Sequence, residues 1–274
     1  MGVLIMIKDI TFGQYYSAFS IIHKLDPRLK LLLLVAYIFL VFISNNWITL
    51  SFVTIILICI MILSLVPIKV YLKNLKVILP IILFTSILNA LYVNEGSLIL
   101  SFWIIKIYDQ GIYRALFMSI RIVLLVLAGS LLSYTTTPTE LTDSIENLFS
   151  PLKFFGLSNA VHSLAMMMTI ALRFIPTLIE ETDKIMSAQK ARGASLDNGG
   201  LISKVKALIP ILIPLLISSI RRAYELAEAM ESRCYNGGEG RVRMKKLKFS
   251  FKDYLSSIFF VIAFIVVIIL NIMF

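Results

Sequence analysis

Charge is scarce in this chain. Only 15% of its 274 residues are Asp, Glu, Lys or Arg, while 59% are hydrophobic and mean hydropathy is +0.91. An average soluble domain carries roughly one-quarter charged residues, so the composition excludes a soluble globular protein and describes an integral membrane protein. Cysteine is scarcer still: Cys59 lies in an apolar run and Cys234 beside a basic motif. Two thiols so placed exclude a disulfide framework and are expected to stay reduced. The two histidines, His23 and His162, have no Cys, Asp or Glu at ligand spacing on a shared helix, so neither a metal site nor a cofactor is expected. No G-x-x-x-x-G-K-[ST] is present, which removes that route to cradling a nucleoside triphosphate. The absence of a nucleophile elbow and of H-E-x-x-H argues against a membrane hydrolase. The start, "MGVLIMIKDITFGQYY", lacks a charged n-region, a long apolar h-region and a small-residue cleavage site, so no removable signal peptide is expected.

What the chain does have is grease in lengths suited to a bilayer, about 20 residues each. Apolar runs occur at 29–44, 48–66, 77–92, 112–134 and 254–273. Asn45 and Asn46 make a polar turn between the first two, with Trp47 suited to the headgroup level. These runs contain no Asp or Glu, whereas an ion-coupled transporter needs buried ionisable groups along its path. Arg121, inside the fourth run, costs roughly 2.5–3.5 kcal/mol on insertion scales and is expected to face protein, a polar partner or the interface.

Net charge is +10, and its location sets orientation. Four Lys or Arg precede or open the first span, three lie at 67–76 and sixteen at 135–253; the alternate loops hold none at 45–47 and one, Lys106, between 93 and 111. Five spans with the N-terminus inside and the C-terminus outside place every dense basic loop in the cytoplasm. The basic run "GGEGRVRMKK", from Gly237 with Lys248 beyond it, reads as an anchor facing anionic lipid, so the bilayer rather than nucleic acid is the expected partner.

Two further greasy stretches, 158–179 and 205–220, would preserve this parity if they formed a hairpin of spans. Each flows instead into a charged helix, past Pro176 in one and Pro210 and Pro214 in the other. Ala223, Leu226, Ala227 and Met230 form an amphipathic stripe, with Arg222, Glu225, Glu228 and Glu231 assigned elsewhere around the helix. The expected organisation is a membrane domain over 1–134, a cytoplasmic coupling domain over 135–253 with long helices at 158–192 and 201–234, and a last span at 254–274. The fold class is all-α and polytopic, with about five transmembrane helices and a cytoplasmic helical domain inserted before the last.

The two long helices end alike. With an offset of 41, Ala188 falls on Ala229 and Arg192 on Arg233; Gly193 follows the first arginine, and Asn236, Gly237 and Gly238 follow the second. A cation at a helix C-terminus gains roughly 0.3–1 kcal/mol from the dipole, which accounts for one arginine but not for two matching ends. The alternative is a pair of plugs, each a permanently charged planar fork on a rigid rod. Glu180 and Glu181 align at the same offset with Arg221 and Arg222, so the rods are expected to cross and pair by charge.

On these residues the chain resembles the transmembrane T component of energy-coupling factor transporters, the CbiQ-type family, whose two coupling helices end in Ala-Arg-Gly-like motifs. The resemblance is carried by "LDPRLKL" at 25–31, by "TTTPTELTDSIENLFSPLKFFGL" and "ALRFIPTLIEETDKIMSAQKARGA" in the centre, and by "RRAYELAEAMESRCYNGGEGR", over most of residues 14–241. It implies a non-catalytic subunit of an ATP-driven importer, in the plasma membrane of a prokaryotic cell. The implied partners are two ABC-type ATPase subunits and an S component that captures a vitamin or metal ion. Ala191, Arg192 and Gly193, and Ser232, Arg233 and Cys234, would dock the ATPases. Ser232-Arg233-Cys234 departs from the family's usual Ala-Arg-Gly but keeps the arginine. Met166, Met167, Met168 and Met186 are candidates for contact with the S component, because methionine repacks readily against an exchangeable partner. An autonomous permease with its own substrate site remains the alternative reading of the residues.

Overall fold

Asp26 opens the first helix: its side chain accepts from the Arg28 N–H at 2.9 Å, and Pro27 fills the first helical position, where no amide donor is needed. In the computed structural model, which describes residues 15–93, 96–102, 105–149, 158–193, 201–237 and 249–273, this helix is α1 (Pro27–Ile43). There follow α2 (Trp47–Ser64), α3 (Ile68–Tyr92), a hairpin of β1 (Leu98–Phe102) and β2 (Ile105–Tyr108), α4 (Asp109–Thr135) and α5 (Pro138–Leu148). Then come α6 (Ser158–Ala191), α7 (Leu201–Glu231) and α8 (Phe251–Met273). The framework is all-α. The small antiparallel hairpin lies in what the sequence presents as a loop; its Ile, Phe and Tyr residues favour extended backbone, and each arm is too short for a helix.

Among the described residues, five helices are long and apolar enough to cross a membrane: α2, α3, α4, α6 from Ala160, and α8. This set differs from the expected one at two points. At 17 residues α1 covers about 25 Å, the short end of the spanning range. In contrast, α6 is one unbroken helix of 34 residues that runs through Pro176. A further correction concerns 67–76, counted as a basic loop: the helix begins at Ile68, after Pro67, and Lys69, Lys73 and Lys76 lie exposed on its first turns.

The described chain divides into two units, residues 15–141 with 249–273, and residues 142–237. In the first, Tyr37, Leu40 and Val41 of α1 pack with Val53 and Leu57 of α2, Phe117 and Leu124 of α4, and Phe260 and Val267 of α8. Polar contacts tie α1 to α4 and α8 at both ends. At its start, Asp253 of α8 accepts from the Asp26 N–H at 2.9 Å, and the Lys30 ammonium donates to the Thr135 carbonyl at 2.8 Å. At its end, Asn271 donates to the Ile43 carbonyl at 3.1 Å and Arg121 to the Ser44 carbonyl at 2.5 Å. The carbonyls that a helix C-terminus leaves unpaired are thus satisfied from two neighbours. It follows that α8 runs parallel to α1, and α4 antiparallel to both.

Helix α3 joins this core through α4. Tyr71 and Tyr134 meet edge to face with centroids 5.2 Å apart, and Asn74 donates to Ser130. At Gly111 a Cβ would stand 2.8 Å from the Ala90 carbonyl oxygen, so the approach of α4 to α3 requires glycine there. The rest of α3 turns Val77, Leu83, Phe84 and Ile87 outward, as a helix facing lipid does. Ala128 and Ser130, small residues suited to a close neighbour, pack within this unit, while Gly129 faces open space.

Candidate functional site

The second unit is built on α6 and α7. They run antiparallel: Gln189 donates to the Pro210 carbonyl, Glu181 meets Ser218 and Arg222, and the Tyr235 hydroxyl donates to the Met166 sulfur. The inward face of α7 carries Ile211, Leu215, Ser218, Arg222, Leu226 and Met230, all buried or half-buried. Arg222 is therefore on the same face as Leu226 and Met230, not elsewhere around the helix. Its guanidinium stands 2.6 Å from the Glu181 carboxylate, to which Ser218 also donates. Glu180 and Arg221 are exposed, and no ion pair joins them among the described residues.

Each helix ends by the same backbone device. Gly193 is left-handed, φ +87°, and its N–H returns to the Lys190 carbonyl at 3.0 Å. Forty-one residues later Cys234 is also left-handed, φ +55°; its N–H reaches Glu231 at 2.8 Å and the Tyr235 N–H reaches Met230 at 3.0 Å. The latter is a complete Schellman stop. The residue that ends α7 is Cys234, not the Asn-Gly-Gly that follows, and Arg192 and Arg233 both occupy the last position before the reversal. Both arginines are exposed, as are Ala188, Ala191, Gly193, Ala229, Ser232 and Cys234. Arg192 stands eleven residues beyond Glu181, and Arg233 eleven beyond Arg222. At about 1.5 Å per residue each tip lies about 16 Å from the central ion pair, and antiparallel packing puts the two tips at opposite ends.

Residues 18–244 match the family described as cobalt transport protein, CbiQ. Energy-coupling factor transporter transmembrane proteins, EcfT, are similar along nearly their whole length. That of Clostridium kluyveri is 50% identical over 254 residues, 92% of this chain and 93% of the relative. That of Ruminiclostridium cellulolyticum is 49% identical over 250 residues, 91% and 92% of the two chains, and that of Bacillus subtilis 45% over 248, 90% and 93%. The chain belongs to the CbiQ family. It is a multi-pass membrane protein of the energy-coupling factor type.

Within this CbiQ-family chain the quoted motifs acquire physical roles. In "LDPRLKL", Asp26 caps α1, and Lys30 gathers the His23 and Thr135 carbonyls. In "TTTPTE", Thr137 and Glu140 form a reciprocal capping box at the start of α5. Arg121, with its guanidinium 4.9 Å above the Phe117 ring, closes the end of α1. The methionine candidates divide: Met167 and Met168 are 59% and 43% exposed and Met166 is half-buried, but Met186 is 3% exposed. Met186 packs inside its own unit and is withdrawn as a contact residue. Sequence reasoning missed the exposed row Leu212, Ile213, Leu216 and Ile217 on α7; the signal lay in the run "ILIPLLISSI", apolar all round rather than on one stripe. It also missed the His162–Glu146 pair, 3.2 Å apart, because its members lie on different helices. The basic run from Gly238 to Lys248 lies outside the described residues.

Proposed function

We propose that this chain is the membrane coupling subunit of an energy-coupling factor importer, and that it passes ATP-driven motion from two ATPase subunits to a small substrate-binding membrane protein. The observation that carries the reading is the pair of matched tips. Two arginines leave their helices through the same left-handed stop, each eleven residues from one ion pair, at opposite ends of an antiparallel pair. Such a pair has approximate two-fold character, and a two-fold pair of ATPases presents two equivalent sockets in the same relation. A guanidinium suits an acidic socket because it stays charged and binds carboxylates in a bidentate fashion. Ala191 and Gly193, or Ser232 and Cys234, flank it with little bulk. The exposed methionines of α6 and the aliphatic row of α7 supply adaptable apolar surface for the third partner. In this reading Arg192 and Arg233, at the charged ends of their helices, lie in the cytoplasm, and hydrolysis belongs to the partners.

Co-purification of the tagged chain from its own cells tests the proposal. ATPase subunits are expected to accompany the wild type, to be reduced by Arg192→Ala or Arg233→Ala alone, and to be lost when both are changed. Undiminished recovery with the double variant overturns the docking role. Substrate uptake by the chain reconstituted alone would favour a permease instead.

A further inference from the structure

The first unit contains a crevice of about 600 Å³ between the N-terminal segment and α1, α2, α4 and α8, and nothing in the coupling mechanism uses it. Its walls are hydrocarbon, among them Leu33, Ile60, Leu131 and Phe259. Water finds too few polar partners in such a space, and an empty one forfeits dispersion contacts along its whole lining. Several lining residues of α8, including Phe259, are exposed on the apolar surface of the span, so the crevice opens toward lipid. Its polar lining is sparse: Lys30, Thr135 and Ser256 lie near the membrane face on which α1 begins, and the Tyr37 hydroxyl further along is spent on the Val53 carbonyl. The buried Lys30 ammonium donates to the His23 and Thr135 carbonyls and, among the described residues, retains one N–H. Both acceptors it already meets are carbonyls, and the remaining donor suits a third uncharged acceptor of the same kind.

We propose that this crevice is a lipid site: it seats one acyl chain of a glycerophospholipid, whose ester carbonyl accepts from Lys30. The proposal requires only that the chain be membrane-embedded and is independent of ATPase docking.

Native mass spectrometry of the full chain, released with its bound subunits from nanodiscs into mild detergent, tests it. The wild type is expected to keep one phospholipid whether the headgroup is zwitterionic or anionic. Ser256→Trp, at a half-buried lining position, should lower retention about tenfold or more, because several methylenes lose their seat; Ile269→Trp, equal bulk on an exposed part of the same helix, should not. No retained lipid, retention confined to anionic species, or equal retention in Ser256→Trp overturns the proposal. Cross-linking of the unaltered protein keeps the test decisive if that variant fails to fold. A phosphatidylethanolamine with a diazirine in its acyl chain is expected to label Ile60, Leu131 and Leu132 more densely than Val77 and Leu83 of α3. Uniform labelling overturns the site.

Discussion

Cys234 occupies a backbone conformation that L-residues other than glycine enter at a cost of about 1–2 kcal/mol. Its counterpart Gly193 enters the same region freely. The two stops are therefore equal in geometry and unequal in stability, and the second is held by the Schellman pair of hydrogen bonds. Cys234→Gly is expected to stabilise the end of α7 by about 1 kcal/mol, read as a higher midpoint of thermal unfolding in detergent. Gly193→Val should lower it, since a β-branched residue is a poor fit to a positive φ. The arginines themselves were legible in the sequence because helix stops are local: a basic residue followed by glycine within about a turn needs no tertiary information. That a cysteine supplies the second stop was not legible, since its φ is imposed by the closing hydrogen bonds rather than by its own preference.

At the scale of elements, two contacts decide how helices meet. The first is the Glu181–Arg222 pair with Ser218. Exchange of the charges is expected to separate a true pair from two independent surface residues. Glu181→Arg alone should weaken the association of α6 with α7, and Glu181→Arg with Arg222→Glu should recover much of it, measured by protease resistance of the two helices. The second contact is Gly111 against Ala90. Gly111→Ala forces a methyl group to 2.8 Å from a backbone oxygen; overpacking of this kind costs about 1–3 kcal/mol, and α3 should separate from α4, with faster cleavage in the β1–β2 hairpin. Offset alignment brought Glu181 and Arg222 into register on paper. The apolar stripe was right in Leu226 and Met230 and wrong in Ala223 and Ala227, which are exposed, because it left out the longer row running back to Ile211.

For the molecule as a whole, the polar pins at the two ends of α1 fix α8 parallel and α4 antiparallel to it. An odd number of crossings then places the end of α8 on the side opposite the start of α1. Basic residues choose which side is which. Single-cysteine variants in a background lacking Cys59 and Cys234 test the assignment with a membrane-impermeant maleimide applied to intact cells. Positions 45 and 106 should label from outside, and position 187 only after permeabilisation; the reverse pattern would place the arginine tips where no cytoplasmic ATPase could reach them.

Composition and hydropathy alone determined that this is a helical membrane protein, because burial in lipid selects for apolar length and for backbone satisfied within each helix. Charge counting and two helix stops were enough to single out Arg192 and Arg233. Only the tertiary structure decided that α1 is held at both ends by side chains from α4 and α8, that Met186 is interior, that Arg222 faces Glu181, and that an apolar crevice lies beside Lys30. Each of these depends on which residues from distant stretches come within a few ångströms of one another. Periodicity along the chain carries no information about that distance.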